Sequence, residues 1–146
     1  NMPFLCYKFR SMKMSAPKNA STWELEHPED FITPLGKFLR KTSLDELPQL
    51  INILRGEMSF IGPRPVILKE QELLTLREKN GAYVAKPGIT GLSQISGRDN
   101  LPPKLKAETD GKYAENITFI NDLKILFMTI PKVLSSEGVT EGKQNF

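Results

Sequence analysis

Proline and glycine interrupt this chain again and again. Gly56 closes one apolar run and Gly62-Pro63-Arg64-Pro65 closes the next. Gly88, Gly91 and Gly97 punctuate a third, and Pro102-Pro103 breaks the chain again. Proline fixes φ and lacks an N–H, and glycine is the default residue of turns. Several helices around a few short strands are therefore expected, an α+β class in one domain. A length of 146 residues suits a single modest core over 1–146, with a polar tail at 136–146.

The bulk chemistry narrows the function classes. A net charge of +3 suits an anionic small molecule or headgroup and is too weak to argue for nucleic acid. One cysteine, Cys6, rules out an internal disulfide, and one histidine, His27, rules out a multi-histidine metal centre in one chain. Both read as incidental. No apolar run reaches the roughly 18 residues of a spanning helix. Asn1 is no initiator and the chain opens straight into apolar alternation, so a fragment missing its natural N-terminus is expected.

From Phe4 to Met12 the alternation of Leu5, Tyr7 and Phe9 predicts a strand. Residues 15–34 read as a long polar loop and 35–40 as a short basic helix. Leu47, Leu50, Ile51 and Leu54 recur at helical spacing, and Gly56 supplies a stop. Pro65 suits the first turn of a helix running to about Lys79, ended by Asn80-Gly81. Lys86 to Arg98 reads as turns around short extended pieces. A helix over about 118–134 carries Ile117, Ile120, Leu123, Ile125, Leu126, Phe127, Ile130 and Val133, bent or ended at Pro131. Core packing is its default reading, and a membrane-interface helix, given Lys124 and Lys132, is the competing one.

The segment Ser43-Leu44-Asp45-Glu46-Leu47-Pro48 supports two readings. Ser43 and Glu46 have the spacing of a capping box; alternatively Asp45 is itself the N-cap and Pro48 lies at N3. The chemical reading has both acids facing one polar pocket at a helix start. One would attack phosphorus as a nucleophile, and the other would hold a divalent cation that neutralises the phosphate under attack. Lys37, Arg40 and Lys41 stand nearby in sequence. Arg64, held between two prolines and expected beside a helix N-terminus, would make a phosphate site, or else a rigid turn with a surface ion pair. Arg98 after Gly97 could meet a phosphate, although a plain turn explains the glycines as well.

Lys41-Thr-Ser-Leu-Asp-Glu-Leu-Pro-Gln-Leu-Ile-Asn-Ile-Leu-Arg-Gly-Glu-Met-Ser-Phe-Ile-Gly-Pro-Arg-Pro65 closely resembles the bacterial sugar transferases, the monotopic phosphoglycosyl transferases. The likeness continues in Lys8-Phe9-Arg10-Ser11-Met12, in Pro87 to Arg98, and from Asp110 through Asp122-Leu123-Lys124. It implies transfer of a sugar-1-phosphate from a UDP-sugar to polyprenyl phosphate, opening capsule, exopolysaccharide or glycan assembly. It further implies Asp45 as the nucleophile of a covalent phosphosugar intermediate, Glu46 as the Mg²⁺ ligand and Arg64 as a phosphate contact. Lys8, Arg40, Arg98, Asp110 and Asp122 match other recurrent polar positions of substrate or phosphate binding. The implied place is the cytoplasmic face of the bacterial membrane, with an upstream apolar anchor absent from this chain. Two other functions fit the same residues: a non-catalytic nucleotide-sugar-binding or assembly module, and a Mg²⁺-dependent phosphohydrolase.

Overall fold

In a computed structural model of the protein, residues 2–17, 27–97 and 101–135 are described. They form an α+β fold of six α-helices and one two-stranded parallel sheet. In chain order the elements are α1 (Pro34–Lys41), α2 (Gln49–Leu54), β1 (Ser59–Ile61), α3 (Gln71–Lys79), β2 (Gly88–Thr90), α4 (Leu92–Ser96), α5 (Pro103–Glu115) and α6 (Phe119–Ser135).

β1 and β2 pair in parallel, Ser59 against Gly88 and Ile61 against Thr90. Parallel strands need a crossover, and α3 supplies it. The crossing is tight: a Cβ at Gly62 would overlap the Lys86 carbonyl oxygen, and one at Gly88 would overlap the Gly62 nitrogen. Under the sheet, Ile61, Ala85, Ile95, Tyr113 and Ile125 form the apolar core. α5 packs against α3 and α4, while α6 lies across α4 and both strands.

The chain from Phe4 to Met12 is not a sheet strand. Its backbone groups find other partners: the Tyr7 N–H donates to Asn52 Oδ1 (3.1 Å) and the Leu5 carbonyl accepts from Asn52 Nδ2 (2.8 Å). The Phe9 N–H donates to the Asp45 carbonyl (2.9 Å). Only Met12 makes a bridge, antiparallel to Ile32, which closes the base of the long polar loop. Residues 18–26 of that loop lie outside the described residues.

Helix α1 forms where the sequence places it, with Thr33 Oγ1 capping the Gly36 N–H (2.9 Å) and Pro34 in the first turn. α2 forms too, with its apolar stripe turned outward. Leu54 is 88% exposed and Leu47, Leu50 and Ile51 are also exposed, whereas Gln49 and Asn52 are buried. The buried face carries Asn52, which must satisfy the backbone of residues 5–7, so the polar side turns inward. α3 begins at Gln71, not Pro65; residues 65–70 are irregular. The 92–96 stretch is helical, and α5, with Pro103 in its first turn, was not expected from the sequence. In α6, whose default reading was core, Ile125 is the buried residue while Phe119, Ile120, Phe127, Met128 and Leu134 are exposed. A two-stranded sheet offers only a narrow strip for it. That strip is met by Ile125 and by Thr129, whose Oγ1 lies 2.8 Å from Thr90 Oγ1.

Candidate active site

The turn between α1 and α2 carries the paired acids. Ser43 adopts the left-handed conformation (φ 57°), which costs a non-glycine residue about 1–2 kcal/mol, and Leu44–Glu46 then form one turn of 3₁₀ helix. No side chain caps this turn, and α2 is preceded by Pro48 without a side-chain cap. Both capping readings therefore fail. The Glu46 side chain points inward instead.

Glu46 is buried and meets two cations. Arg64 Nη2 donates to its Oε1 (2.6 Å) and Arg64 Nη1 to its Oε2 (3.3 Å), a two-pronged pairing. Lys8 Nζ donates to the same Oε1 at 2.9 Å. Burial by itself raises the Glu46 pKa. The charges of Arg64 and Lys8, with their hydrogen bonds, outweigh that and hold it at about 2. Glu46 is thus a fixed anion.

Asp45, next to it, is half-buried and differs in kind. Its carboxyl makes no side-chain hydrogen bond among the described residues. Burial, and then the Glu46 charge, raise its pKa, while Lys8, Arg40 and Arg64 pull the other way without prevailing. A raised pKa means a more basic and less solvated carboxylate. One acid is locked, and its neighbour is left available within a ring of cations.

Arg64 does not stand at a helix N-terminus, since α3 starts seven residues later. Its backbone is fixed by other means. The Gly88 N–H donates to the Pro63 carbonyl (2.9 Å), and Arg77 Nη1 donates to the Arg64 carbonyl (2.9 Å). Arg77 in turn is paired with Asp110 through Nε (2.8 Å) and Nη2 (2.7 Å), both to Oδ2. Ser93 Oγ donates to the other oxygen, Oδ1 (2.7 Å).

Lys8, Asp45, Glu46 and Arg64 therefore come together, with Arg40 near enough to act on Asp45. Asp110 is only 1% exposed, and its two carboxylate oxygens accept from Arg77 and Ser93. Asp122 accepts from the Tyr113 hydroxyl (2.8 Å), tying α6 to α5. Arg98 lies outside the described residues. The sequence reading missed Arg77, Ser93 and Asn52. The available signal for Arg77 was a charge four residues after Leu73, on the same face of α3.

Among the described residues no group of three or more His, Cys, Asp or Glu side chains gathers as a metal site. A hard cation such as Mg²⁺ needs less, commonly one or two carboxylates with substrate phosphates and waters completing its shell. Glu46 is ionised throughout the physiological range, but Arg64 and Lys8 already hold both its oxygens, so it could ligate a cation only by releasing one of them; the Asp45 carboxyl beside it carries no hydrogen bond among the described residues.

A family model described as bacterial sugar transferase matches residues 1–136. The chain belongs to the bacterial sugar transferase family. Among its relatives in that family, the sugar transferase EpsL of Bacillus subtilis is 42% identical over 95% of this chain and 67% of its own length. The undecaprenyl-phosphate galactose phosphotransferase of Salmonella typhimurium is 42% identical over 92% of this chain. The exopolysaccharide production protein ExoY of Sinorhizobium fredii is 39% identical over the same share. This family member spans 31% of the length of the Salmonella protein and 66% of ExoY. No helix among the described residues is long and apolar enough to cross a membrane.

Proposed function

We propose that this chain is the catalytic part of a transferase that moves a sugar-1-phosphate from a UDP-sugar to polyprenyl phosphate at the cytoplasmic face of the membrane. The observation that carries the reading is the division of labour between adjacent acids: Glu46 locked by Arg64 and Lys8, and Asp45 raised in pKa with no hydrogen bond to its carboxyl among the described residues. Asp45 Oδ attacks the sugar-bearing phosphorus. The bond from that phosphorus to the nucleoside monophosphate oxygen breaks, and the monophosphate leaves with the electron pair. The phosphosugar is then held as an acyl phosphate on Asp45. An oxygen of polyprenyl phosphate attacks the same phosphorus, the bond to Asp45 breaks, and the carboxylate is regenerated.

Arg64 and Lys8 reduce the repulsion between an anionic nucleophile and an anionic substrate, and their positions are set before substrate arrives. Mg²⁺, held by Glu46 with the substrate phosphates, would supply further charge neutralisation. The names of the relatives support this direction, since the Salmonella protein is named for undecaprenyl phosphate and galactose phosphotransfer. The exposed apolar side chains of α2 and α6 suit contact with a lipid surface.

The test uses the full-length protein with a UDP-sugar radiolabelled in the sugar, Mg²⁺ and no lipid. Label trapped on the protein, and absent in Asp45→Asn, supports covalent transfer. Absence of both trapped label and nucleoside monophosphate exchange rejects it. Steady release of free sugar-phosphate would instead favour a phosphohydrolase, and binding unaffected by Asp45→Asn, with no turnover, a non-catalytic module.

A further inference from the structure

The cation that grips Glu46 is itself held from behind. Arg64 lies in a segment with no regular secondary structure, between two prolines that cannot donate backbone hydrogen bonds. Such a segment has few ways to be fixed. Two consecutive carbonyls do it here, Pro63 accepting from Gly88 on β2 and Arg64 accepting from Arg77 on α3. The first tie belongs to the sheet. The second comes from a side chain, and that side chain is among the most buried charges in the protein.

Arg77 and Asp110 have side chains 4% and 1% exposed. A buried ion pair rarely stabilises a fold more than an apolar pair of the same volume would, so stability is a weak account of it. Its geometry is better explained by what it holds. Asp110 Oδ2 takes Nε and Nη2 of Arg77 along one edge of the guanidinium, and Ser93 occupies Oδ1. The guanidinium is thereby fixed in its plane, leaving Nη1 directed at the Arg64 carbonyl. Three helices, α3, α4 and α5, thus converge on one backbone oxygen beside the candidate active site.

We propose that Arg77 is a positioning residue, oriented by Asp110 and Ser93, that sets the Arg64 guanidinium in register with Glu46 and with the substrate phosphate. The proposal deepens the transferase reading and rests on it for the substrate alone. Arg77 acts on the backbone of Arg64, so its loss displaces a cation without removing it. A displacement of about 1 Å at such a group lowers turnover on the order of 100-fold.

The informative variant is Arg77→Lys in the full-length protein. Lysine keeps the charge facing Asp110, but its single nitrogen cannot span both Asp110 and the Arg64 carbonyl. The expected result is faster amide hydrogen exchange confined to residues 61–67, with α3 and α5 still protected, and kcat lowered about 10- to 100-fold with little change in KM. In an Arg64→Ala background the same substitution adds nothing further to the loss. If Arg77→Lys does not fold, Arg77→Met with Asp110→Leu replaces the ion pair by an apolar one and releases the same carbonyl. Unchanged exchange at 61–67 overturns the proposal, as does exchange that quickens throughout the protein together, or an effect of full size in the Arg64→Ala background. Should the wild-type protein show no transfer at all, the transferase reading fails while the exchange measurement still decides the role of Arg77.

Discussion

Arg64 closes on Glu46 with both terminal nitrogens, at 2.6 and 3.3 Å, and that pairing sets the electrostatics of the site. With Lys8 on the same oxygen, the carboxyl sits at about 2 in the folded protein against 4.5 for an unperturbed glutamate. A lowered pKa contributes stability that is complete above the unfolded value and is lost as pH falls through the folded one. Glu46 therefore contributes on the order of 3 kcal/mol at neutral pH, and that contribution disappears between about pH 5 and pH 2. Glu46→Gln should flatten the stability profile across that window in denaturant melts. It should also cost about 2–4 kcal/mol at pH 7, because two cations lose their partner.

Asp45 has the opposite sign. Its raised pKa means that ionisation is resisted by burial and by Glu46, so the folded state is penalised as pH rises through the folded value and is not penalised below the unfolded one. Asp45→Asn should leave the protein as stable or raise Tm at pH 7, the gap closing under acid. The same change should abolish transfer. A stabilising substitution that destroys activity is expected of a group kept strained for chemistry, and a fall in Tm at pH 7 would contradict that account.

Asn52 joins three partners while fully buried: the Tyr7 amide, the Leu5 carbonyl and Glu57 Oε2 (2.6 Å). Asn52→Ala strands two backbone groups and should cost about 2–3 kcal/mol. Because Lys8 follows Tyr7 directly, amide exchange at Tyr7 should rise and activity should fall with it. Exchange at Tyr7 that stays at the wild-type rate would show the segment to be held by something else.

Leu54 and Phe119 are exposed apolar residues whose removal the fold should tolerate. Leu54→Glu and Phe119→Glu should each change stability by no more than about 0.5 kcal/mol. If these faces meet lipid, both variants of the full-length protein should sediment less with vesicles containing anionic lipid. Equal sedimentation would remove α2 and α6 from the membrane contact.

Periodicity located α2 and α6, and the basic run after Pro34 located α1, each within a residue or two, because spacing and proline or glycine boundaries are local properties. It did not say which way α2 faces. The rule that apolar stripes turn inward assumes that the interior wants carbon, whereas the interior beside α2 holds unpaired backbone that only Asn52 satisfies. The strand expected at residues 4–12 did not form: alternation was present, yet among the described residues its backbone is met by the Asn52 side chain and not by a neighbouring strand. α5 was missed because Pro102-Pro103 reads as a break, and only the packing against α3 and α4 shows that Pro103 opens a helix.

The acids at 45 and 46 and the arginine at 64 were determined by sequence alone, as residue types whose chemistry suits an anhydride and whose order marks the family. How each acid is held was decided by tertiary structure. Capping, the local explanation, would have spent one acid on backbone N–H groups and left the other a first-turn charge. Instead Lys8 arrives from 38 residues upstream and Arg64 from 18 downstream to lock Glu46, while Asp45 keeps a carboxyl with no hydrogen bond of its own among the described residues. Pairing energies depend on distance and burial, and no spacing in the sequence encodes either.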